Sequence, residues 1–275
     1  MSIRDAVSAD GTAIVYSVTG PRDARPLVLL HGWAASLKCW GDGVLDGFAQ
    51  RYRVIAVDLR GHGYSGAPET GYDDPANWAN DVAAVLAAES ITGDAVLLGW
   101  SYGGLVLCDY LESRGTGAVA GIVLVGGITG IGRGQAGGRV GSAMRSAIPG
   151  VYSEDPGTAL RAFKAFGNAN TGPGEDKGVD AQRLFGGSLA TPPRVRAALF
   201  DRSTGHDDLL RNLDIPAFVL HGTVDPVVEV SAGQHAAQLI PDVRTSFWEG
   251  TQHGPFIEDP QRFVAEVSEF VDGLG

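Results

Sequence analysis

A serine between glycines is the residue of this chain that is best suited to nucleophilic chemistry. Residues 99–104 read GWSYGG, which places Gly99 and Gly103 two positions either side of Ser101. An apolar run precedes this segment and a helix-like run follows it, a context that favours a sharp turn between a strand and a helix. Glycines at those positions let the two backbones approach closely. The segment predicts a nucleophilic serine raised above the end of a sheet.

A serine hydroxyl is a weak nucleophile at neutral pH, so it needs a general base and an acid that orients the base. When the serine lies on such a turn, the partners follow in the order Asp or Glu, then His. His253 follows a predicted strand over 244–248, and we expect it to be the base. Asp225 comes just after a predicted strand over 217–220, and we expect its carboxylate to fix the tautomer of His253. An ordinary Asp-Pro turn is the alternative for Asp225.

Two other late histidines are expected to have lesser roles. His221 ends the strand over 217–220, and we interpret it as mainly structural. His235 falls within a helical pattern over 231–240, where we expect it to be exposed to solvent. Neither position offers the mobile loop that a base reaching Ser101 requires.

Acyl transfer also needs hydrogen-bond donors for the oxyanion that develops on the carbonyl. One is expected from the backbone N–H of Tyr102, directly after the nucleophile. The second is expected from the loop after the predicted strand over 27–30, where the backbone N–H of Trp33 is the candidate. No specific substrate-binding side chain is predicted.

Short apolar runs alternate with helical patterns along the chain, which indicates an α/β architecture. Continuous apolar runs are typical of strands that helices cover on both faces, so the sheet should be mainly parallel. Asp-Pro pairs at 74–75 and 259–260 are helix start signals. The predicted strands are 13–18, 27–30, 54–57, 95–98, 121–125, 217–220 and 244–248.

The alternation stops between residues 128 and 212, where no convincing strand is found. We predict a helical cap or lid over residues 128–212, inserted into a discontinuous core domain of residues 1–127 and 213–275. A lid there would shape a pocket at the carboxyl ends of the strands.

Residues 132–137 (GRGQAG) match a dinucleotide fingerprint, with Glu154 and Asp155 downstream, but no strand leads into those acids. A lid hinge is the preferred interpretation of these glycines.

Composition excludes several classes of protein. The chain of 275 residues has 21 basic and 32 acidic residues and a net charge of −11, so a nucleic-acid partner is not expected. Its two cysteines, Cys39 and Cys108, fit neither a disulfide framework nor a zinc site. We find no signal peptide and no apolar run long enough to span a membrane, so we expect a cytoplasmic protein. We also expect that it needs no metal and no cofactor.

The chain resembles the α/β-hydrolase fold family. The resemblance rests on residues 31–33 (HGW), 58–65 (DLRGHGYS), 222–226 (GTVDP) and 253–255 (HGP), together with the segment around Ser101. It implies an eight-stranded, mostly parallel sheet flanked by helices, with the lid inserted after the sixth strand. It also implies that Asp58, Arg60 and His62 shape a turn. Relatives that open epoxides or remove halide carry aspartate where this chain has Ser101, so those chemistries are disfavoured.

The expected function is that of a serine hydrolase that cleaves a small carboxylic ester or lactone through an acyl-enzyme on Ser101. The same three residues would serve a cofactor-free haloperoxidase, which is a perhydrolase, or a C–C bond hydrolase. A ligand-binding receptor with incidental hydrolysis is the alternative from another class, because a fold does not determine a function.

Overall fold

The apolar runs of the sequence form neighbouring strands of one sheet. The computed structural model describes residues 1–172 and 178–275. The strands of this part of the chain are β1 (Ser2–Val7), β2 (Ala13–Thr19), β3 (Pro26–Leu30), β4 (Arg53–Val57), β5 (Ala95–Trp100), β6 (Val119–Val125), β7 (Gly130–Ile131), β8 (Thr204–Gly205), β9 (Ala217–Gly222) and β10 (Val243–Trp248).

Eight of these strands form the central sheet, in the order β1-β2-β4-β3-β5-β6-β9-β10. β2 pairs antiparallel with both β1 and β4, and the remaining neighbours pair in parallel. The prediction of a mainly parallel sheet is therefore confirmed. β1 was not predicted, because only Ala6 of its six residues is buried and the strand lacks an apolar run.

Helices connect the strands and cover both faces of the sheet. They are α1 (Gly41–Ala49), α2 (Pro75–Ala88), α3 (Tyr102–Arg114), α4 (Ser142–Val151), α5 (Pro156–Thr171), α6 (Gly178–Ala190), α7 (Pro193–Ala198), α8 (Asp207–Arg211), α9 (Val230–Leu239), α10 (Pro255–Glu258) and α11 (Pro260–Asp272). The two Asp-Pro signals are confirmed as helix starts. Asp74 accepts a hydrogen bond from the N–H of Ala76, and Asp259 accepts one from the N–H of Arg262.

The continuous apolar runs divide between two cores, one on each face of the sheet. In β3, Leu27 and Leu29 belong to one hydrophobic cluster, whereas Val28 and Leu30 belong to the other. Successive side chains of a strand point to opposite faces, so a strand buried on both faces has no polar alternation. This packing accounts for the sequence pattern and holds the carboxyl ends of the strands in a fixed row.

Residues 128–212, here called the helical insertion, follow the sixth strand and contain α4 to α8. The expectation that they hold no strand is wrong, because β7 pairs antiparallel with β8. Each of these strands has two residues, too few to leave an apolar run in the sequence. Asp155 accepts a hydrogen bond from the N–H of Thr158 and so caps α5, which explains this acid without a dinucleotide.

Both cysteines, Cys39 and Cys108, are buried free thiols. Within residues 1–172 and 178–275, no helix is long and apolar enough to cross a membrane. The same residues contain no cluster of three or more side chains suited to binding a metal ion.

Candidate active site

Ser101 lies at the turn between β5 and α3, as predicted, and its backbone is strained. Its φ of 55° and ψ of −119° are a combination that residues with a Cβ rarely adopt. The flanking glycines make the turn possible. A Cβ on Gly103 would lie 2.1 Å from the carbonyl oxygen of Leu30, and one on Gly99 would lie 2.5 Å from that of Gly103. The strain is thus maintained by close packing of the helix start against the sheet.

Asp225 and His253, which are 28 positions apart, form a buried pair. Asp225 Oδ2 lies 2.7 Å from His253 Nδ1, and its Oδ1 accepts hydrogen bonds of 2.8 and 3.0 Å from the N–H groups of Val227 and Val228. The carboxylate accepts, so His253 Nδ1 carries the proton and Nε2 keeps its lone pair. This is the tautomer that a general base for a hydroxyl requires.

The acid of this pair stays ionised. Burial alone would raise the pKa of Asp225, but electrostatic attraction to His253 and the imidazole N–H groups beside the carboxylate outweigh it and hold this pKa well below its usual range. Asp225 is therefore a carboxylate at any pH at which the protein would be expected to work.

Several contacts hold His253 close to the turn that carries Ser101. Trp100 Nε1 donates to the carbonyl oxygen of His253 at 3.0 Å, and the two rings lie 5.3 Å apart. The imidazole and Asp225 pack over Gly126, where a Cβ would lie 3.2 Å from His253 Nδ1. The N–H of Ser101 donates to the carbonyl oxygen of Val125, the neighbour of Gly126.

The hydroxyl of Ser101 makes no hydrogen bond to His253 among the contacts of the described chain. Catalytic hydrogen bonds are often long in unliganded enzymes and shorten when substrate binds, and a serine hydroxyl is repositioned by rotation about χ1. The structure thus brings Asp225 and His253 together beside the serine turn. The contact between Ser101 and His253, and the catalytic roles of all three residues, remain predictions.

Trp33 and Tyr102 line the same cavity as Ser101. Their backbone N–H groups have no acceptor within residues 1–172 and 178–275. The loop that carries Trp33 lies directly against Ser101, since a Cβ on Gly32 would approach Ser101 Cβ to 2.9 Å. Two free donors at one cavity beside a serine suit an oxyanion hole, and that role for the two N–H groups stays a prediction.

The 58–65 segment holds this loop in place from outside the cavity. His62 Nε2 accepts a 3.1 Å hydrogen bond from the N–H of Ala34, and Asp58 Oδ1 accepts one of 2.6 Å from the N–H of Leu37. Burial lowers the pKa of His62 to about 4, so its ring is a neutral acceptor. Arg60, also buried, is paired with Asp81 on α2. The segment thus contributes structure, as the resemblance implied, and it anchors the loop next to Ser101.

The cavity at Ser101 has a volume of about 230 Å³. Residues of the helical insertion contribute to its lining. The apolar side chains that line the cavity are Trp33, Ile128, Ile131, Val140, Met144, Phe200, Val227 and Val228.

The side chain of Trp33 joins the loop to the helical insertion. Its Nε1 donates to the carbonyl oxygen of Arg196 on α7 at 2.9 Å. Its ring packs within 6.5 Å, between ring centres, of four aromatic rings of the insertion, those of Tyr152, Phe163, Phe166 and Phe200. Trp33 thus presents its backbone N–H to the cavity and packs its side chain against the helical insertion.

A buried charge cluster behind Tyr102 was missed from the sequence. Arg202 donates to both carboxylate oxygens of Asp109 on α3 at 2.8 Å, and to the hydroxyl oxygen of Tyr102 at 3.2 Å. His206 Nε2 lies 3.1 Å from the same carboxylate. The cluster ties the end of the insertion to the helix that begins at Tyr102. No motif marks it, because its members are far apart in the chain.

The other two late histidines, His221 and His235, both lie close to a carboxylate, which was not expected for either. His235 is only partly exposed, and its Nε2 lies 3.0 Å from Asp207, because α9 packs beside α8. The prediction that it is solvent-exposed is therefore wrong. His221 is fully buried, as expected for a structural residue, yet its Nε2 lies 3.1 Å from Asp225 Oδ2. His221 lies at the end of β9, four residues before Asp225, and this spacing was the sequence signal that could have indicated the contact.

A mostly parallel sheet with a strained serine at a strand-to-helix elbow defines a class of α/β enzymes. The chain belongs to the alpha/beta hydrolase family, whose sequence model matches residues 27–267. It is 33% identical to a non-heme chloroperoxidase from Streptomyces lividans, with 96% of this chain and 98% of that protein covered.

Other relatives include enzymes named for ester cleavage. A bifunctional esterase/perhydrolase from Acinetobacter calcoaceticus is 27% identical, over 95% of this chain and 97% of its own. The crystal structure of an esterase from Rhodococcus sp. ECU1013 superimposes with a TM-score of 0.99 and is 69% identical, covering all of both chains.

Proposed function

We propose that this protein is a serine hydrolase that cleaves small carboxylic esters or lactones through an acyl-enzyme on Ser101. The observation that carries the proposal is the buried Asp225–His253 pair, with its proton on Nδ1, beside a serine held at a strained elbow. Such pairing of a base with an orienting acid is the arrangement that activates a hydroxyl. The relatives named as esterases support the same reaction class.

In the proposed reaction, His253 Nε2 takes the hydroxyl proton of Ser101 as the serine oxygen attacks the carbonyl carbon. The N–H groups of Trp33 and Tyr102 stabilise the oxyanion of the tetrahedral intermediate. His253 then gives the proton to the departing alcohol, and the acyl group stays on the serine. A water molecule repeats the sequence, with His253 as the base, and releases the acid.

The cavity supports a small, apolar substrate. Its volume of about 230 Å³ lies below the range of about 300–1,000 Å³ that is common for pockets of drug-sized ligands. Its lining is mostly aliphatic and aromatic. We infer that residues 128–212 act as a cap domain that shapes this pocket on a core of residues 1–127 and 213–275, and that the enzyme works in the cytoplasm.

A perhydrolase is the second candidate, in which hydrogen peroxide replaces water as the acyl acceptor. The names of two relatives favour it, a non-heme chloroperoxidase and a bifunctional esterase/perhydrolase. Both candidates share the acyl-enzyme, and they differ only in the nucleophile that resolves it. Peroxyacid formation from acetate and peroxide, measured beside ester hydrolysis, distinguishes them.

The test is labelling with a fluorophosphonate probe followed by peptide mapping, with p-nitrophenyl acetate hydrolysis as the activity readout. We expect the label on Ser101, and a loss of at least about 10⁴-fold in kcat for Ser101→Ala. Ser146→Ala, on the exposed face of α4, is the matched control and should keep full activity. Wild-type turnover by Ser101→Ala would refute the mechanism and favour a binding protein with incidental hydrolysis.

A further inference from the structure

Asp225 contacts two histidines, and only one of them has a place in the proposed mechanism. Its Oδ2 lies 2.7 Å from His253 Nδ1 and 3.1 Å from His221 Nε2. All three side chains are buried. The second imidazole comes from the end of β9, on the same turn as the carboxylate.

The proton of His221 can be placed from its partners. His221 Nε2 lies 3.0 Å from the carbonyl oxygen of Val228, which can only accept a hydrogen bond. Nε2 therefore carries the hydrogen and donates it to the carbonyl oxygen of Val228, while Asp225 Oδ2 lies 3.1 Å from the same nitrogen. The carbonyl oxygen fixes the tautomer, so the hydrogen-bearing edge of the ring stays beside the carboxylate.

The other nitrogen of His221 has no acceptor for a second hydrogen. His221 Nδ1 is buried and has no hydrogen-bond partner among the described residues. It lies against α9 at Gly233, where a Cβ would approach Nδ1 to 2.5 Å. A proton on Nδ1 would be a buried N–H without an acceptor, which is costly. His221 therefore keeps its hydrogen on Nε2, the nitrogen that lies beside Asp225.

With His221 included, Asp225 is surrounded by N–H groups. Val227 and Val228 donate backbone hydrogen bonds to Oδ1, His253 bonds to Oδ2, and His221 Nε2 lies 3.1 Å from Oδ2. A carboxylate has about four acceptor sites, so three hydrogen bonds fill most of them and the N–H edge of His221 lies beside Oδ2. Among the described residues, the titratable side chains within contact distance of Asp225 are His221 on β9 and His253 after β10.

We propose that His221 is a positioning residue of the active site, which holds Asp225 Oδ2 in line with His253 and disperses part of its negative charge. This inference rests on the proposed function. The Val227 and Val228 donors fix only one oxygen of the carboxylate. The electropositive N–H edge of His221 attracts Oδ2 and so opposes rotation about the Cβ–Cγ bond, which would move this oxygen away from His253.

Loss of this donor has two measurable consequences. The carboxylate becomes free to rotate, so fewer molecules hold the base in its productive tautomer, and we expect kcat to fall about tenfold with little change in KM. The remaining charge on Oδ2 also acts more strongly on His253 and favours its protonated form. The acid limb of kcat/KM should therefore move to higher pH.

The experiment compares two replacements of His221 by pH profiles of p-nitrophenyl acetate hydrolysis. In His221→Gln, the amide nitrogen reaches the place of Nε2 and donates to the same acceptors. In His221→Leu, the volume remains but the donor is absent. We expect His221→Gln to retain at least half of the wild-type kcat and an unchanged acid limb of kcat/KM. His221→Leu should show both the lower kcat and the shifted acid limb.

Val219→Ala is the matched control, because Val219 is buried in the same strand and has no contact with Asp225 among its described contacts. It should lower the thermal midpoint without moving the acid limb. If His221→Leu does not fold, His221→Asn replaces it, since the shorter amide does not reach Asp225.

A folded His221→Leu or His221→Asn variant with wild-type kcat and an unmoved acid limb would overturn the proposal. Ser101→Ala separates this failure from a failure of the proposed function. If Ser101→Ala is inactive while loss of the His221 donor has no effect, only the role of His221 is refuted. If Ser101→Ala is fully active, the hydrolase mechanism itself is wrong.

Discussion

Trp100 donates a hydrogen bond of 3.0 Å from Nε1 to the carbonyl oxygen of His253. The residue directly before Ser101, the proposed nucleophile, therefore anchors the loop that carries the proposed base. The two residues are distant in the chain, and Trp100 sits at the last position of β5. The sheet therefore fixes the position of the loop that carries His253.

Trp100→Phe should keep the aromatic packing and remove this hydrogen bond. Since one such bond contributes about 1 kcal/mol, we expect kcat to fall roughly fivefold as the loop of His253 loosens. Steady-state kinetics with a soluble ester measure the effect. Trp248→Phe is the matched control, because this buried indole bonds to Ser246 and Glu266, outside the cavity at Ser101. Equal losses of kcat in both variants would contradict the proposed anchor.

Gly103→Ala should prevent stable folding of the elbow. The added Cβ would lie 2.1 Å from the carbonyl oxygen of Leu30, and neither backbone can yield without breaking the contact between β3 and α3. We expect a loss of at least about 3 kcal/mol in the free energy of unfolding. Gly186→Ala, in α6 with open space around it, should instead add about 0.5–1 kcal/mol. Thermal unfolding of both variants checks this contrast, and a tolerated Gly103→Ala would count against the elbow geometry.

The Arg202–Asp109 pair should be costly to break from either side. Both side chains are fully buried, so Arg202→Met leaves the Asp109 carboxylate with only His206 beside it and should cost about 3 kcal/mol. Arg211→Ala removes an arginine that is half exposed in its pairs with Asp207 and Asp208, and it should change stability by less than about 0.5 kcal/mol. Urea denaturation compares the two. A small effect for Arg202→Met would mean that the ion pair does not fasten the insertion to α3.

Acid should destabilise the protein through His62. Its folded pKa of about 4 lies below the ordinary value of 6.5, so the unfolded chain binds more protons between these values. The stabilising contribution is fully present above pH 6.5 and is lost as the pH falls towards 4. At that pH the loss amounts to roughly 3 kcal/mol. Burial also lowers the pKa of the neighbouring His31, which adds to the same trend.

His62→Gln tests this assignment, because its amide oxygen can accept from Ala34 but does not titrate in this range. Unfolding free energies measured from pH 4 to 8 should show a shallower slope for this variant. Gly186→Ala should shift the whole curve by a constant amount. A His62→Gln slope equal to that of the wild type would refute the role of His62.

Much of the fold could be predicted because local signals agreed with the tertiary structure. The apolar runs of β3 to β6 and the caps at Asp74 and Asp259 are local features, and each lies where it was expected. β1 escaped notice, because an edge strand with one buried residue resembles a loop in sequence. β7 and β8 escaped because a two-residue pair is created by the contact between distant segments.

The residues of the site also divide into those with a local sequence signal and those without one. Ser101 could be located from its own neighbours, and Asp225 and His253 from the strands that precede them. The hydrogen bonds of Trp33 to Arg196, and of Arg202 to Asp109, join segments 163 and 93 positions apart. Their residue types alone carry no signal for such pairing. His221 was treated as structural, because a strand end predicts burial and does not reveal which carboxylate the ring will face.

The attachment of Trp33 to Arg196 has a consequence for engineering. An exchange of residues 128–212 for the corresponding segment of a relative would replace the acceptor of the indole and the aromatic rings around it. The loop beside Ser101 would then lose its outer support even though every proposed catalytic residue is retained. Chimeras of this protein should therefore carry residue 33 and its aromatic neighbours as one transplanted unit.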